Sequence, residues 1–330
     1  MARRPCLLEI ELVIAWLRLI RWKNLLIIFG TQLFAWFCIV KPMKSLTGVS
    51  FFLDGNHFLL LSLSTVLIAA GGYIINDYFD VKIDNINHPE KMVLNKVIPR
   101  NHAIIVHSIL NIVAFVIGAI LAWNAGHLSF VLLQVFCTAL LWFYSTKFKQ
   151  RFAIGNLVVA FLTALIIILL ILYEPSLYAY FRRGVFICFK NELVLPNPVW
   201  VLVGYAFFAF IFTWIREAVK DMEDFKGDEA EGCVTMPIIW GFKKTVLFTE
   251  VLAIIALLTI IFVTGKLLLD KNLILGVYLL LAVIIPILYF IKILPQKSTS
   301  KHYSFASSLL KWIMVTGGCS LLIYYYEAHV

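Results

Sequence analysis

Nine stretches of the chain are almost continuously apolar for about 20 residues, the length an α-helix needs to cross the hydrocarbon core of a bilayer. They cover residues 24–40, 57–76, 102–122, 127–146, 152–173, 197–219, 245–265, 272–294 and 305–326. A membrane barrel needs short strands that alternate apolar and polar residues, which these Leu/Ile/Val/Phe runs do not. Composition agrees: 62% of the 330 residues are apolar, 14% are charged, and mean hydropathy is +0.92. A soluble domain holds about 45–50% apolar and about 25% charged residues, so a soluble enzyme and a disordered chain are both excluded. The expected fold class is an all-α integral membrane protein, nine transmembrane helices in one bundle. The first span is short, and residues 7–23 are expected to form an amphipathic interfacial helix leading into it.

Charge orients the bundle. With 28 Lys and Arg against 19 Asp and Glu the formal net charge is +9, but the cations flank the apolar runs, a pattern that points to the membrane and not to nucleic acid. Twenty fall at the N-terminus and in the loops after even-numbered spans. Seven (Lys41, Lys44, Arg182, Arg183, Lys190, Lys266 and Lys271) fall on the other side, with Lys311 inside the ninth span left uncounted. Positive-inside asymmetry therefore predicts a multi-pass protein of the cell membrane with a cytoplasmic N-terminus and an external C-terminus. Glu9 and Glu11, with no small-residue cleavage site nearby, argue against a removable signal peptide. The six cysteines and seven histidines show no metal-ligand or redox spacing. No soluble domain is expected. The long connections are residues 80–101 and 220–243 on the inner side and 174–196 on the outer side, and loops of this length are commonly functional.

The acids are concentrated. Of eight aspartates, six form two clusters, Asp77, Asp80, Asp84 and Asp221, Asp224, Asp228, each with the spacing D-x2-D-x3-D and offset from one another by 144 residues. Each cluster follows an even-numbered span, so both lie on the inner side, as an internal repeat of a site. Positions i, i+3 and i+7 share one helix face, so each cluster is expected to aim three carboxylates in one direction. Like charges at such spacing call for a cation, and a hard divalent ion such as Mg²⁺ takes oxygen ligands while leaving room for phosphate oxygens. Two facing clusters can hold two or more Mg²⁺ ions around one diphosphate and stabilise it as a leaving group.

Basic and polar companions are fewer. Tyr144-Ser145-Thr146-Lys147-Phe148-Lys149 closes the fourth span on the same side. Lys147 or Lys149 can contact a diphosphate, or either can be a snorkelling positive-inside lysine. Arg21 and Asn24 open the first span and can face the same site. Asn156 can orient a substrate or bond helix to helix. Arg216 lies one turn before the second cluster and can touch ligand or pair with Glu217. Glu250, two turns from Lys243 and Lys244, is expected to make a shallow polar contact.

Asn76-Asp77-x-x-Asp80-x-x-x-Asp84, the 144–149 element and Lys220-Asp221-x-Glu223-Asp224-x-x-x-Asp228, with nine spans, resemble the UbiA superfamily of intramembrane prenyltransferases over nearly the whole chain. Within it, Asn76–Asn87 and Arg216–Gly241 are most similar to the geranylgeranylglycerol-phosphate geranylgeranyltransferases. The resemblance implies one UbiA-like domain over residues 1–330 with a central cavity open to membrane lipids. It further implies metal-ligating, catalytic Asp77, Asp80, Asp84, Asp221, Asp224 and Asp228, with substrate binding by Asn24, Asn76, Tyr144, Lys147, Lys149, Asn156 and Arg216. A polyprenyl diphosphate is the implied donor. The implied acceptor is geranylgeranylglyceryl phosphate, giving an ether lipid, with an aromatic acceptor of quinone biosynthesis as the alternative. A divalent-cation transporter is the rival from another class, but it expects acids along helix interiors, and the spans are almost free of them apart from Glu250. The chain departs from the family pattern twice. Arg-Pro-x-Asn reads Arg21-Trp22-Lys23-Asn24, and a Pro-Ile-Pro-Ser-Gly stretch after the first cluster is replaced by Met92–Arg100.

Overall fold

The computed structural model describes residues 5–47, 50–90, 92–177, 188–189, 193–194, 197–296 and 299–329. Arg3, Arg4, Lys91, Arg182, Arg183, Lys190 and Lys297, which entered the charge bias, lie outside the described residues, as does most of the 174–196 connection. Apart from a two-residue antiparallel pair, β1 (Cys188–Phe189) and β2 (Leu193–Val194), the described elements are helical. Nine described segments are long and apolar enough to span a membrane, and each overlaps one predicted run.

The chain packs into two compact units. The first comprises Met1–Gly30, Gly55–Arg151 and Lys226–Cys233; the second comprises Thr31–Asp54, Phe152–Phe225 and Val234–Val330. In the first, α1 (Pro5–Leu19) turns at Arg21 into α2 (Trp22–Ala35), followed later by α4 (Gly55–Asn87), α5 (Arg100–Ala125) and α6 (Ser129–Phe143). A separate helix, α1, covers most of the expected segment 7–23, and it leaves Ile10, Leu12, Val13, Ile14 and Leu17 exposed while burying Ala15 and Leu19. Those two residues pack with Ile74, Leu94, Ile98 and Ala103. Without a proline at position 22, the start of α2 is made by Arg21 itself, at φ 53°, with the Asn24 N–H donating to the Arg21 carbonyl at 2.7 Å.

The connection over 220–243 is mainly helical, and the one over 80–101 is helical at both ends. α4 runs 33 residues to Asn87 and carries the whole first acid cluster beyond its apolar stretch. The remainder, residues 88–99, is pinned by Leu94 and Ile98, whose side chains are buried against α1.

In the second unit, α2 ends in a π-turn (Trp36–Val40) that continues as α3 (Lys41–Thr47). Then come α7 (Ile154–Leu172) and α8 (Pro198–Glu223), the latter capped by the Asn197 side chain, which accepts from the Val199 N–H at 3.0 Å with Pro198 at the first helical position. After α9 (Phe225–Ala230), which packs with the first unit, the chain re-enters the second unit in α10 (Met236–Leu269). α10 is kinked at Gly241, whose φ of 77° only glycine adopts without strain. α11 (Leu273–Leu279), a π-turn (Leu280–Ile284), α12 (Ile285–Ile293) and α13 (Ser300–His329) complete it. The π-turn frees backbone groups that lipid could not satisfy, and Thr316 Oγ1 donates to the Ala282 carbonyl there at 3.0 Å. The core of this unit is built from Ile215, Val219, Met222, Ala253, Ile287 and Phe290. Outward faces carry Leu247, Leu258, Phe262 and Trp312, as a helix bathed in acyl chains allows.

One carboxylate holds the far end of the second unit. Glu174 is fully buried just past α7, where it accepts from the Leu53 N–H at 2.9 Å and the Ser176 N–H at 3.3 Å, while Trp36 Nε1 donates to the Leu53 carbonyl at 2.9 Å. Glu174→Ala would leave the buried Leu53 N–H without its acceptor, at a cost of about 1–3 kcal/mol. The thermal unfolding midpoint in detergent should fall accordingly, and Glu174→Gln, which keeps an acceptor oxygen, should lose less.

Candidate active site

The helical register of α4 sets the first cluster. Asp77, Asp80 and Asp84 lie on one face, as their spacing predicts, with Asp80 buried and the other two half-buried. Each of the first two already has a partner. Arg21 Nη2 stands 2.7 Å from Asp77 Oδ1, with its guanidinium 5.1 Å from the centre of the Tyr73 ring. Asp80 Oδ2 accepts from Asn76 Nδ2 at 2.6 Å, one turn earlier on the same helix, and from the Lys149 ammonium. Asp84 lies within electrostatic reach of Asp80, Lys149, Asp77 and Arg21.

Lys149, and not Lys147, faces the acids. Residues Tyr144–Phe148 form a π-turn, in which the Lys149 N–H bonds to the Tyr144 carbonyl at 3.0 Å, five residues back. The extra residue in that turn rotates the residues beyond it relative to α6. Lys147 is left exposed, Ser145 is buried, and Lys149 is half-buried against Asp80. Burial alone would push the Lys149 ammonium down. Asp80, with Tyr144 and Asp228, overrides that and holds it well above the ordinary lysine range. Asp77 beside Arg21 likewise holds the guanidinium charged against the cost of burial. Both cations are permanent at any working pH.

The second cluster departs from its expected geometry. Asp221 lies in the last turn of α8, but that helix stops at Asp224 (φ −93°, ψ 6°), and Asp228 is carried by α9. The three carboxylates therefore do not share one helix face. Asp228 is buried and packs with the first unit, near Lys149. In the second unit, Asn156 Nδ2 donates to Asp221 Oδ2 at 2.8 Å, so this asparagine contacts an acid of the cluster. Arg216 Nη1 pairs with Glu217 at 2.8 Å, with Lys220 3.9 Å from the same carboxylate. Of the remaining predicted residues, Tyr144 opens the π-turn and Asn24 sits in the turn that starts α2. Glu250 is half-buried in α10.

Arg21 is an open possibility from sequence and no member of the expected site, and the structure sets it on Asp77. The Arg21-Trp22-Lys23-Asn24 match is the signal that points to it. Cys233, which shows no metal-ligand or redox spacing in the sequence, is buried within the field of Asp228, Lys149 and Asp80, and burial pushes its thiol up to about 11.

The donor chemistry suits a hard divalent cation. Asp77, Asp80, Asp84 and Asp228 are all oxygen ligands gathered in one unit, the set Mg²⁺ prefers. Among the described residues no three of them already converge as a ligand sphere, because Arg21 and Lys149 hold Asp77 and Asp80. Protein cations here balance charge that a metal ion can equally balance, so the residues present fit Mg²⁺.

Comparison with known proteins gives a consistent result. The UbiA prenyltransferase family matches residues 21–314. The chain is 32% identical to digeranylgeranylglyceryl phosphate synthase of Methanosphaera stadtmanae over 252 residues, 75% of this chain and 81% of that protein. With the synthase of the same name from Saccharolobus solfataricus it shares 30% identity over 285 residues, 85% of this chain and 89% of the other. A solved structure of a digeranylgeranylglyceryl phosphate synthase superposes with a TM-score of 0.60 at 24% identity, covering 96% of this chain and 99% of that one. A UbiA homolog from Archaeoglobus fulgidus bound to GPP and Mg²⁺ superposes with a TM-score of 0.58 at 13% identity, covering 93% and 99%. The two superpositions establish the shared helical membrane fold. The family match over residues 21–314 and the identities over most of two synthases go further: the chain belongs to the UbiA prenyltransferase family and is a multi-pass membrane prenyltransferase.

Proposed function

We propose that this prenyltransferase uses Mg²⁺ to transfer a geranylgeranyl group from its diphosphate to geranylgeranylglyceryl phosphate, forming an ether lipid. The observation that carries the reading is the ion pair of half-buried Lys149 with buried Asp80 in the field of Asp228, a cation set among clustered carboxylates at the end of apolar helices. Such a site suits a diphosphate headgroup whose tail lies in hydrocarbon. The choice of acceptor is supported by the similarity to two digeranylgeranylglyceryl phosphate synthases, and the use of Mg²⁺ by the homolog bound to GPP and Mg²⁺.

Asp77, Asp80, Asp84 and Asp228 of the first unit, and Asp221 and Asp224 of the second, are the proposed metal ligands. Bound Mg²⁺ would supply Lewis-acid stabilisation of charge on the departing diphosphate. Lys149 adds a fixed positive charge at the diphosphate oxygens, and Arg21 orients the Asp77 carboxylate. Asn76 orients the Asp80 carboxylate from within α4, and Asn156 does the same for Asp221. The allylic C1–O bond breaks with its electron pair leaving on the diphosphate. The acceptor hydroxyl oxygen then bonds C1 and releases its proton.

Three outcomes test this. Asp80→Ala and Asp224→Ala should each lower turnover at least about 100-fold, as expected when a charge-stabilising group is lost. Chelation of divalent metal should stop the unaltered enzyme, and added Mg²⁺ should restore it. Near-normal turnover in both variants would remove the metal assignment. Lys149→Ala should cost about 10- to 100-fold in kcat/KM, the loss of a charge-assisted contact to diphosphate, whereas Lys147→Ala should stay within about twofold. Finally, the purified protein in liposomes should be given geranylgeranyl diphosphate with geranylgeranylglyceryl phosphate, 4-hydroxybenzoate and dihydroxynaphthoate side by side. The expected product, identified by mass, is the ether lipid; a prenylated aromatic would move the enzyme to quinone biosynthesis.

A further inference from the structure

Asp228 reaches the first cluster on a helix too short to hold its own shape. α9 has six residues, and an isolated helix of that length is not stable in water. Its first-turn N–H groups have no partners within the helix. One of them, the Gly227 N–H, donates to Asn87 Oδ1 at 2.9 Å. Asn87 is the last residue of α4, three positions beyond Asp84. The carboxamide thus caps α9 from another helix, and it does so on the residue immediately before Asp228.

The approach is close enough to require glycine. A Cβ at Gly227 would stand 2.5 Å from Asn87 Nδ2 and 2.8 Å from its Cγ, and Gly227 is itself buried. Beyond Asp228 the segment closes on itself, with the Glu231 N–H donating to the Gly227 carbonyl at 3.1 Å and the Cys233 N–H to the Asp228 carbonyl at 2.9 Å. Cys233, at the end of this segment, is 4% exposed in the docked arrangement, so its labelling reports on the segment.

We propose that Asn87 and Gly227 form a latch, a positioning pair that docks α9 on the end of α4 and keeps Asp228 beside Lys149 and Asp80. The inference rests on the reading of these acids as the metal and diphosphate site, because the latch serves that site by fixing one of its ligands. Neither residue touches the reacting atoms. They act through the placement of Asp228.

Alkylation of Cys233 by a maleimide at fixed pH, located by mass spectrometry, reads docking without turnover, and the Mg²⁺ titration of activity reads its consequence. Asn87→Ala should speed Cys233 labelling about tenfold and raise the half-saturating Mg²⁺ concentration about five- to tenfold, the weight of one lost buried hydrogen bond. Gly227→Ala should do more on both readouts, because it adds a clash to the lost bond. The double variant Asn87→Ala/Gly227→Ala should return to the level of Asn87→Ala alone, the methyl group filling the vacated space. Unchanged Cys233 labelling in Asn87→Ala would overturn the latch, and so would a double variant worse than Gly227→Ala. Faster labelling with an unmoved Mg²⁺ requirement would overturn its role at the site. If the unaltered protein shows no Mg²⁺-dependent turnover, the functional reading fails, while Cys233 labelling still decides whether the latch exists.

Discussion

A charged amine buried against a carboxylate is the interaction on which the first unit's acid cluster depends. Either Lys149 or Asp80 alone at such depth would carry a large desolvation penalty, and removing one partner leaves the other uncompensated. Together, with Asn76 bonded to the same carboxylate, they allow acids to gather at the end of an apolar helix. Three separate pieces of local structure must agree for this to happen. α4 must remain helical past its apolar stretch, the chain after α6 must make a π-turn, and α9 must bring Asp228 back.

The same arrangement explains how a cluster of acids can exist before a metal binds it. Arg21 on Asp77 and Lys149 on Asp80 offset the repulsion among carboxylates that would otherwise resist being folded together. On the proposed reading Lys149 remains as a fixed positive charge when metal and diphosphate arrive, its partner shifting from protein carboxylate toward substrate oxygens, while Arg21 stays on Asp77. A cation whose charge is held by its neighbours is suited to that double use.

Much of this was legible from residue order. The nine spans follow from run length, and the shared face of Asp77, Asp80 and Asp84 follows from helical periodicity, because both are local properties of one continuous helix. The α1 helix was readable for the same reason. The second cluster was misread in geometry. Identical spacing suggested an identical helix, yet α8 ends at Asp224, and a break of this kind depends on where α9 docks, not on spacing. The choice between Lys147 and Lys149 was open because one extra residue in a π-turn changes the facing side chain, and no sequence period marks such a turn. The 220–243 stretch, read as a loop, proved largely helical, and α4 runs on into the 80–101 stretch as far as Asn87, since polar residues beyond a span do not by themselves end a helix.

The sequence alone determined what crosses the membrane, the acidic character of the site and the family to which the chain belongs, because apolar run length and motif spacing are written along the chain. The tertiary structure decided which charges meet. Lys149 and Asp80 are 69 residues apart, Arg21 and Asp77 are 56 apart, and Asn87 and Gly227 are 140 apart. Contacts at those separations are set by the packing of whole helices and by single-residue changes in helical phase, which act over distances that local patterns do not encode.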